Sequence, residues 1–285
     1  LLTERELKAI VADVLAGLGH KGLQSLAGSG SGSGGPEPGP MSGSHPAWSN
    51  PDAMTEMIAA TPARIAIGRA GARYDTDAWL QFRMDHAAAK DAIFHEIGQG
   101  FVDRLGAVAL QTQVADRRQY LVRPDLGRRL LGASEQVLRE QCRPGALIQL
   151  LVVDGLSGTA VEANAIDFIR AFQAGIQHEH LTGSPLLGTP IFVRLGRVAV
   201  MDQIGEVLRP DLIVELIGER PGLVTAESMS AYFCYKPDAK SIESDRTLIS
   251  NIHKGGIPAV EAGAHSARLA ARILAAKVSG VKLGL

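Results

Sequence analysis

Apolar positions near the start of the chain recur with helical spacing. Leu7, Ile10, Val11, Val14, Leu15 and Leu18 form one stripe, with Glu4, Lys8 and Asp13 off it. Thr3 and Glu6 fit a capping box, and Gly17 and Gly19 suit the helix end. From Asp52 to about Arg143 the pattern is mostly helical, interrupted by Arg64-Ile-Ala-Ile-Gly68 and a loop at Gly71. Trp79 to Ile97 predicts one helix there, and Leu126 to Gln141 another. From Ala146 the pattern changes. Leu147 to Val153 is a near-continuous apolar run of strand length, stopped by Asp154-Gly155, and a helical stretch spans Ala160 to Gln177. Pro190 to Arg194, Leu212 to Ile217 and Ala231 to Tyr235 predict further strands. Asp202 to Leu208 and Ala259 to Val278 predict helices, the last with Pro258 at its start. Near-continuous apolar strands flanked by helices imply a buried, largely parallel sheet, an open α/β fold of the Rossmann type.

Between the first helix and this body, residues 28–40 read GSGSGSGGPEPGP, a flexible Gly/Ser tract followed by stiffer Pro-rich chain. Gly30 to Gly35 formally matches G-x-G-x-x-G, but no strand precedes it and no helix follows, so it reads as linker. The expected organisation is an amphipathic helix (1–24), a linker (25–53), a mainly helical segment (54–143) and a Rossmann-like domain (144–285). A helix of the first segment's length is marginal alone in water and needs a surface to lie on. So long a linker suits a helix offered to a partner's groove better than one docked on its own domain. Charges interrupt its apolar positions, which excludes a secretory signal, and it lacks the Lys/Arg excess of a membrane-surface helix. An arm grafted ahead of Met41 is the other reading of residues 1–40.

Composition narrows the partners. With 29 Lys+Arg against 30 Asp+Glu in 285 residues, the net charge is −1, which argues against nucleic acid. Cys142 and Cys234 are too few for a disulfide framework or a closed zinc site. No apolar run approaches the ~18 residues of a membrane span. Glycine is in excess, 32 residues, and many lie at expected strand ends.

In open parallel sheets, ligands bind beyond the carboxyl ends of the strands. Four segments are candidates: Asp154-Gly-Leu-Ser157, Arg194-Leu-Gly-Arg-Val198, Gly218-Glu-Arg-Pro-Gly222, and Asp245 to Gly256. Singly, each has a plain structural explanation. Asp154 and Ser157 can cap a helix, Glu219 can pair with Arg220, and Pro221-Gly222 can be a turn. Together, glycine-bearing tips with arginines favour a large polar ligand, because Gly admits close backbone approach and Arg suits phosphate or carboxylate. No nucleophile elbow, zinc-protease, P-loop or kinase motif is present, so no catalytic residue and no metal ligand is assigned. Asn251-Ile-His-Lys-Gly-Gly256 comes within one residue of D-x-H-x-x-G, a loop that ligates cobalt through His in many cobalamin proteins. It has Asn where that motif has Asp, and too few residues follow for the rest of that module.

Seven segments then carry a resemblance: Gly68-Arg-Ala-Gly71, Tyr120 to Arg129, Asp154 to Ser157, Gly196-Arg-Val198, Asp202 to Glu206, Gly218 to Gly222, and Ile249 to His253. In order from about Thr61 to Gly284, they resemble the small subunit of ethanolamine ammonia-lyase. The resemblance implies a subunit of an adenosylcobalamin-dependent lyase that releases acetaldehyde and ammonia from ethanolamine by radical chemistry. It implies a hetero-oligomer in which the large subunit holds substrate and the small subunit completes the cobalamin site. The family's cobalamin contacts fall on Val198, Glu219 and Leu248, the last at a position usually Cys in the family. Residues 1–24 resemble helices that lead enzymes into bacterial microcompartments, which implies shell or cargo partners and a place inside a microcompartment of the bacterial cytoplasm. A stand-alone Rossmann-like nucleotide-binding protein is the alternative, and a fingerprint after a strand, which would favour it, is missing.

Overall fold

In the computed structural model the described residues are 50–61 and 63–284. The segment 1–24 and nearly all of the linker lie outside them. Asn50, rather than Asp52, caps the first described helix: its side chain accepts from the Ala53 amide, and α1 (Pro51–Ala59) follows. A two-residue hairpin, β1 (Arg69–Ala70) and β2 (Arg73–Tyr74), leads into α2 (Thr76–Phe94). Asp75 accepts from the Ala78 amide at the start of α2. Residues 50–91 with 222–225 form one unit, in which Arg64 pairs with Asp85 and donates to the Leu223 carbonyl at 2.9 Å.

The second unit comprises 92–221 and 226–284. Its elements in chain order are α3 (Gln99–Leu105), β3 (Val108–Gln111), α4 (Arg117–Val122), α5 (Gly132–Gln141), β4 (Ile148–Val153), α6 (Gly158–His178), β5 (Ile191–Arg194), α7 (Val200–Leu208), β6 (Leu212–Gly218), β7 (Met229–Tyr235), β8 (Arg246–Ile252) and α8 (Ala259–Ala276). The strands make one six-stranded sheet of order β3-β5-β4-β6-β7-β8. β3, β5, β4 and β6 pair in parallel, while β6–β7 and β7–β8 are antiparallel. Only β7 therefore runs against the rest, and the sheet is mostly parallel in a mixed α/β unit.

Alternation along the strands separates two cores. Leu212, Val214 and Leu216 of β6, with Met229, Ala231 and Phe233 of β7, point to one face, covered by α6 and α8. Ile213 and Ile217, with Leu151, Val153 and Cys234, point to the other, covered by α5 and α7. β4 and β6 are buried at every position, Gln149 and Glu215 included, as their near-continuous apolar runs predict. α6 and α8 touch through small residues. A Cβ on Gly175 would sit 2.5 Å from the Ala267 Cβ, and one on Gly263 would overlap the Phe168 carbonyl oxygen.

Three expectations change. β3 lies within a stretch read as helical; four residues are too few to show a period of two against the helices around them. Leu126 to Gln141 is not one helix but a short 3-10 turn, Leu126–Arg128, and then α5 from Gly132. Most of Asp245 to Gly256, read as a strand tip, is the edge strand β8. Its exposed positions mix Leu248 with the polar Ser250 and Asn251, and a register shift opposite Met229–Ala231 breaks the alternation that would have marked it as a strand.

Candidate functional site

Strand direction brings the C-terminal ends of β3, β5, β4, β6 and β8 to one rim of the sheet. There the chain leaves β4 for α6 on one face and leaves β5 for α7 on the other. Adjacent parallel strands whose helices depart to opposite faces open a crevice beyond their ends, the usual ligand position in such sheets. Asp154 to Ser157 and Leu195 to Val198 form its two lips, and Gly218-Glu219 lies beside the first.

The tips are closed onto each other by the chain itself. Leu156 donates its amide to the Gly218 carbonyl at 2.9 Å, and a Cβ on Gly155 would overlap that same oxygen. A Cβ on Gly196 would fall 2.6 Å from Val153, and those on Gly218 and Gly256 would strike the carbonyls of Ser157 and Asn251. These four glycines thus serve close packing of chain on chain, not approach by a ligand; only Gly222 and Gly255 lack such crowding. The arginines are turned inward as well. Arg194 donates to the Ile97 carbonyl at 2.9 Å, and Arg197 to the Tyr120 carbonyl at 2.8 Å.

Ser157 does cap α6, accepting from the Ala160 amide at 3.1 Å. Asp154 does not cap. Its carboxylate meets Arg117 at 3.0 Å, both side chains being 6% exposed. Burial pushes the Asp154 carboxyl up; Arg117 and the amides of Leu195, Gly196 and Gly155 oppose that shift. Beside this pair lies a cavity of about 490 Å³, lined among others by Gln111, Thr112, Arg117, Asp154 and Arg194. His253 is folded into its own turn, where Nδ1 accepts from the Gly255 amide at 3.1 Å. Among the described residues no three His, Cys, Asp or Glu side chains gather as metal ligands.

The three residues marked by the resemblance sit as follows. Val198 lies between the β5 tip and α7, half-buried against the core under α5 and α7. Glu219 is the first residue past β6; its amide donates to the Ser228 carbonyl at 2.9 Å. Leu248 stands on the edge strand, 46% exposed, directly opposite Tyr232 of β7. Tyr232 lies near both: it pairs with Leu248 across the ladder, and the Glu219 carboxylate is close enough to act on its phenol. Burial chiefly, reinforced by Glu219 and Glu215, pushes that phenol up to about 12, so it stays a donor at any physiological pH.

Beneath Tyr232 on the same face lies a polar cluster that sequence reasoning passed over. Glu215 pairs in register with Tyr232 and is fully buried, with neither carboxylate oxygen hydrogen-bonded among the described residues. Burial raises it well above the carboxylate range; Arg246 opposes, and Asp202 adds to the rise. The signal was available: Glu215 is the one charge inside Leu212-Ile-Val-Glu-Leu-Ile217. In sum, Glu219 at the rim offers an acceptor carboxylate, and partway along β7 and β8 stand a phenol, Tyr232, and an exposed apolar side chain, Leu248. That set suits binding and orientation, and it holds no nucleophile–base pair.

Comparison with known proteins agrees with this picture. The ethanolamine ammonia-lyase light chain (EutC) family matches residues 51–284. The ethanolamine ammonia-lyase small subunit of Clostridium perfringens is 46% identical over 232 residues, covering 81% of this chain and 77% of its own. Those of Lachnoclostridium phytofermentans and Clostridioides difficile are 45% and 46% identical, covering 82% and 81% of this chain and 78% of each relative. With a family match over nearly all its described residues and relatives about 45% identical over four-fifths of its length, the chain belongs to the ethanolamine ammonia-lyase light chain family.

Proposed function

We propose that this chain works as the small subunit of an ethanolamine ammonia-lyase and completes the adenosylcobalamin site of a large catalytic subunit. The observation that carries the reading is the Glu219–Tyr232–Leu248 surface. A corrinoid is a broad ring with apolar edges and a fringe of amides. An acceptor carboxylate with a phenol near it suits an amide N–H, and the exposed Leu opposite that phenol suits a ring edge. The residues present therefore fit the group. Leu248 offers apolar area where a Cys would offer a thiol, so that contact needs only packing.

When bound, adenosylcobalamin supplies the radical chemistry of its cobalt–carbon bond. Glu219 would hold the group by accepting a hydrogen bond from one of its amides, with the Tyr232 phenol near that carboxylate. Leu248 covers apolar edge and keeps water from it, and Val198 closes the other lip. The 2-1-3 order of the sheet run β5-β4-β6, shared by doubly wound arrangements, supports a ligand at this rim. Residues 1–24 serve as an address read by microcompartment shell or cargo proteins, and residues 25–53 join that address to the rest of the chain. Among the described residues no helix is long and apolar enough to cross a membrane.

Co-purification tests the reading. Mixed with the large subunit, the chain should form a complex that retains corrinoid absorbance through gel filtration. A complex that forms and retains none would refute the shared cofactor site.

A further inference from the structure

We infer that Tyr120, Arg197 and Asp154 are positioning residues that lock the loop Leu195–Val198 into the one shape that presents Val198 to the corrinoid. The inference rests on the function proposed above. Its ground is how completely three loop residues are anchored. Thr112 donates its hydroxyl to the Leu195 carbonyl at 2.9 Å, and Tyr120 donates its own to the Gly196 carbonyl at 2.8 Å. The Arg197 amide donates to the Gly127 carbonyl at 2.8 Å, while its guanidinium donates to the Tyr120 carbonyl and lies 4.0 Å from the centre of the Tyr120 ring. From below, the Asp154 carboxylate faces the amides of Leu195 and Gly196, and Arg117 holds that carboxylate in place.

The same enclosure explains two local features. Leu195 has φ +55, the left-handed region that a leucine adopts only when its surroundings impose it. Gly127 has no room for a side chain, because a Cβ would come within 2.8 Å of Arg197 Cγ and 3.1 Å of the Leu195 carbonyl oxygen. Loops that only join two elements normally leave their backbone groups to water. Here side chains from the β3 end and α4 take two of the carbonyls instead, and the Asp154 carboxylate lies beneath the amides. Tyr120 and Gly127 both belong to Tyr120-Leu-Val-Arg-Pro-Asp-Leu-Gly-Arg-Arg129, a segment that supplies none of the proposed contacts. Holding the loop gives that segment its work. Burial raises the Tyr120 phenol above its ordinary range, so it remains a donor.

The test uses the full chain assembled with the large subunit and titrated with adenosylcobalamin in the dark, without ethanolamine, by absorbance. Tyr120→Phe removes one hydroxyl and keeps the ring; Arg197→Lys keeps the charge but loses the planar donor. Each should raise the cobalamin Kd by roughly three- to tenfold. Amide exchange at residues 195–197 should accelerate in the same variants, and rates at saturating cofactor should recover, which separates cofactor KM from kcat. Val198→Asp is titrated alongside. If Val198→Asp weakens binding while Tyr120→Phe and Arg197→Lys do not, the positioning roles are overturned and the proposed function stands. If Val198→Asp also leaves the Kd unchanged, the loop does not meet the corrinoid, and both fall. Lower melting temperature in both variants, with unchanged Kd in the complex that forms, likewise overturns the inference in favour of a purely structural network.

Discussion

Arg246, at the start of edge strand β8, meets Asp202 of α7 at 2.6 Å, with 4% and 15% of their side chains exposed. The pair ties the edge of the sheet to the helix that follows the Val198 loop. Burial pushes the Asp202 carboxyl up to about 6, with Arg246 opposing and Asp238 and Glu243 adding to the rise. In the unfolded chain an Asp ionises near ~3.9. Between that value and 6 the folded chain thus holds a proton that the unfolded chain has lost. The stabilisation from this group is fully present below the unfolded value and is lost as pH rises through 6. Buried Glu215 acts with the same sign. Asp202→Asn should flatten the fall of unfolding free energy between about pH 4 and 7, measured by urea denaturation of the full chain. A slope equal to the parent's would contradict the assignment.

The contact between α6 and α8 depends on the absence of a side chain at Gly263. An added methyl would press on the Phe168 carbonyl and lie 2.9 Å from the Ala171 Cβ. Gly263→Ala should cost about 1–3 kcal/mol in denaturant unfolding. Gly132→Ala, at the start of α5 where a Cβ meets nothing within 4 Å, should stay within about 0.5 kcal/mol of the parent. Equal costs at the two positions would show that helix propensity, not packing, governs Gly263.

Such relationships mark the limit of what residue order alone discloses. β4 and β6 were legible because a strand buried on both faces is apolar at nearly every position, and α6 and α8 because their apolar stripes are long. The edge strand β8 was not, since exposure relaxes its composition and a bulge breaks its period. Strand-tip glycines were visible, but their reason was not. Whether Gly155 and Gly218 leave room for a ligand or for each other is a fact of tertiary contact. Arginine at the tips misled in the same way, since Arg194 and Arg197 satisfy carbonyls within the chain. Glu219 was marked by its motif, whereas Tyr232, whose phenol it acts on, sits within a strand whose pairing direction is not written locally.

Glu219→Ala should release cobalamin from the assembled complex more readily, seen as earlier loss of corrinoid absorbance during dialysis. Tyr232→Phe should have a smaller effect of the same sign, because it removes the neighbouring phenol and leaves the carboxylate in place. Retention unchanged in Glu219→Ala would remove that residue from the cradle.

Deleting residues 1–40 should leave ammonia release by the assembled enzyme intact and abolish its enrichment in shells, followed by fractionation of shell-producing cells. Loss of ammonia release instead would make the arm part of the enzyme's structure.

The central claim is that this chain is inactive alone and completes a site with a large subunit. Ammonia release from ethanolamine should be absent with either chain alone and appear when both are mixed with adenosylcobalamin. A mixture that forms a complex, binds the cofactor and releases no ammonia would contradict the account.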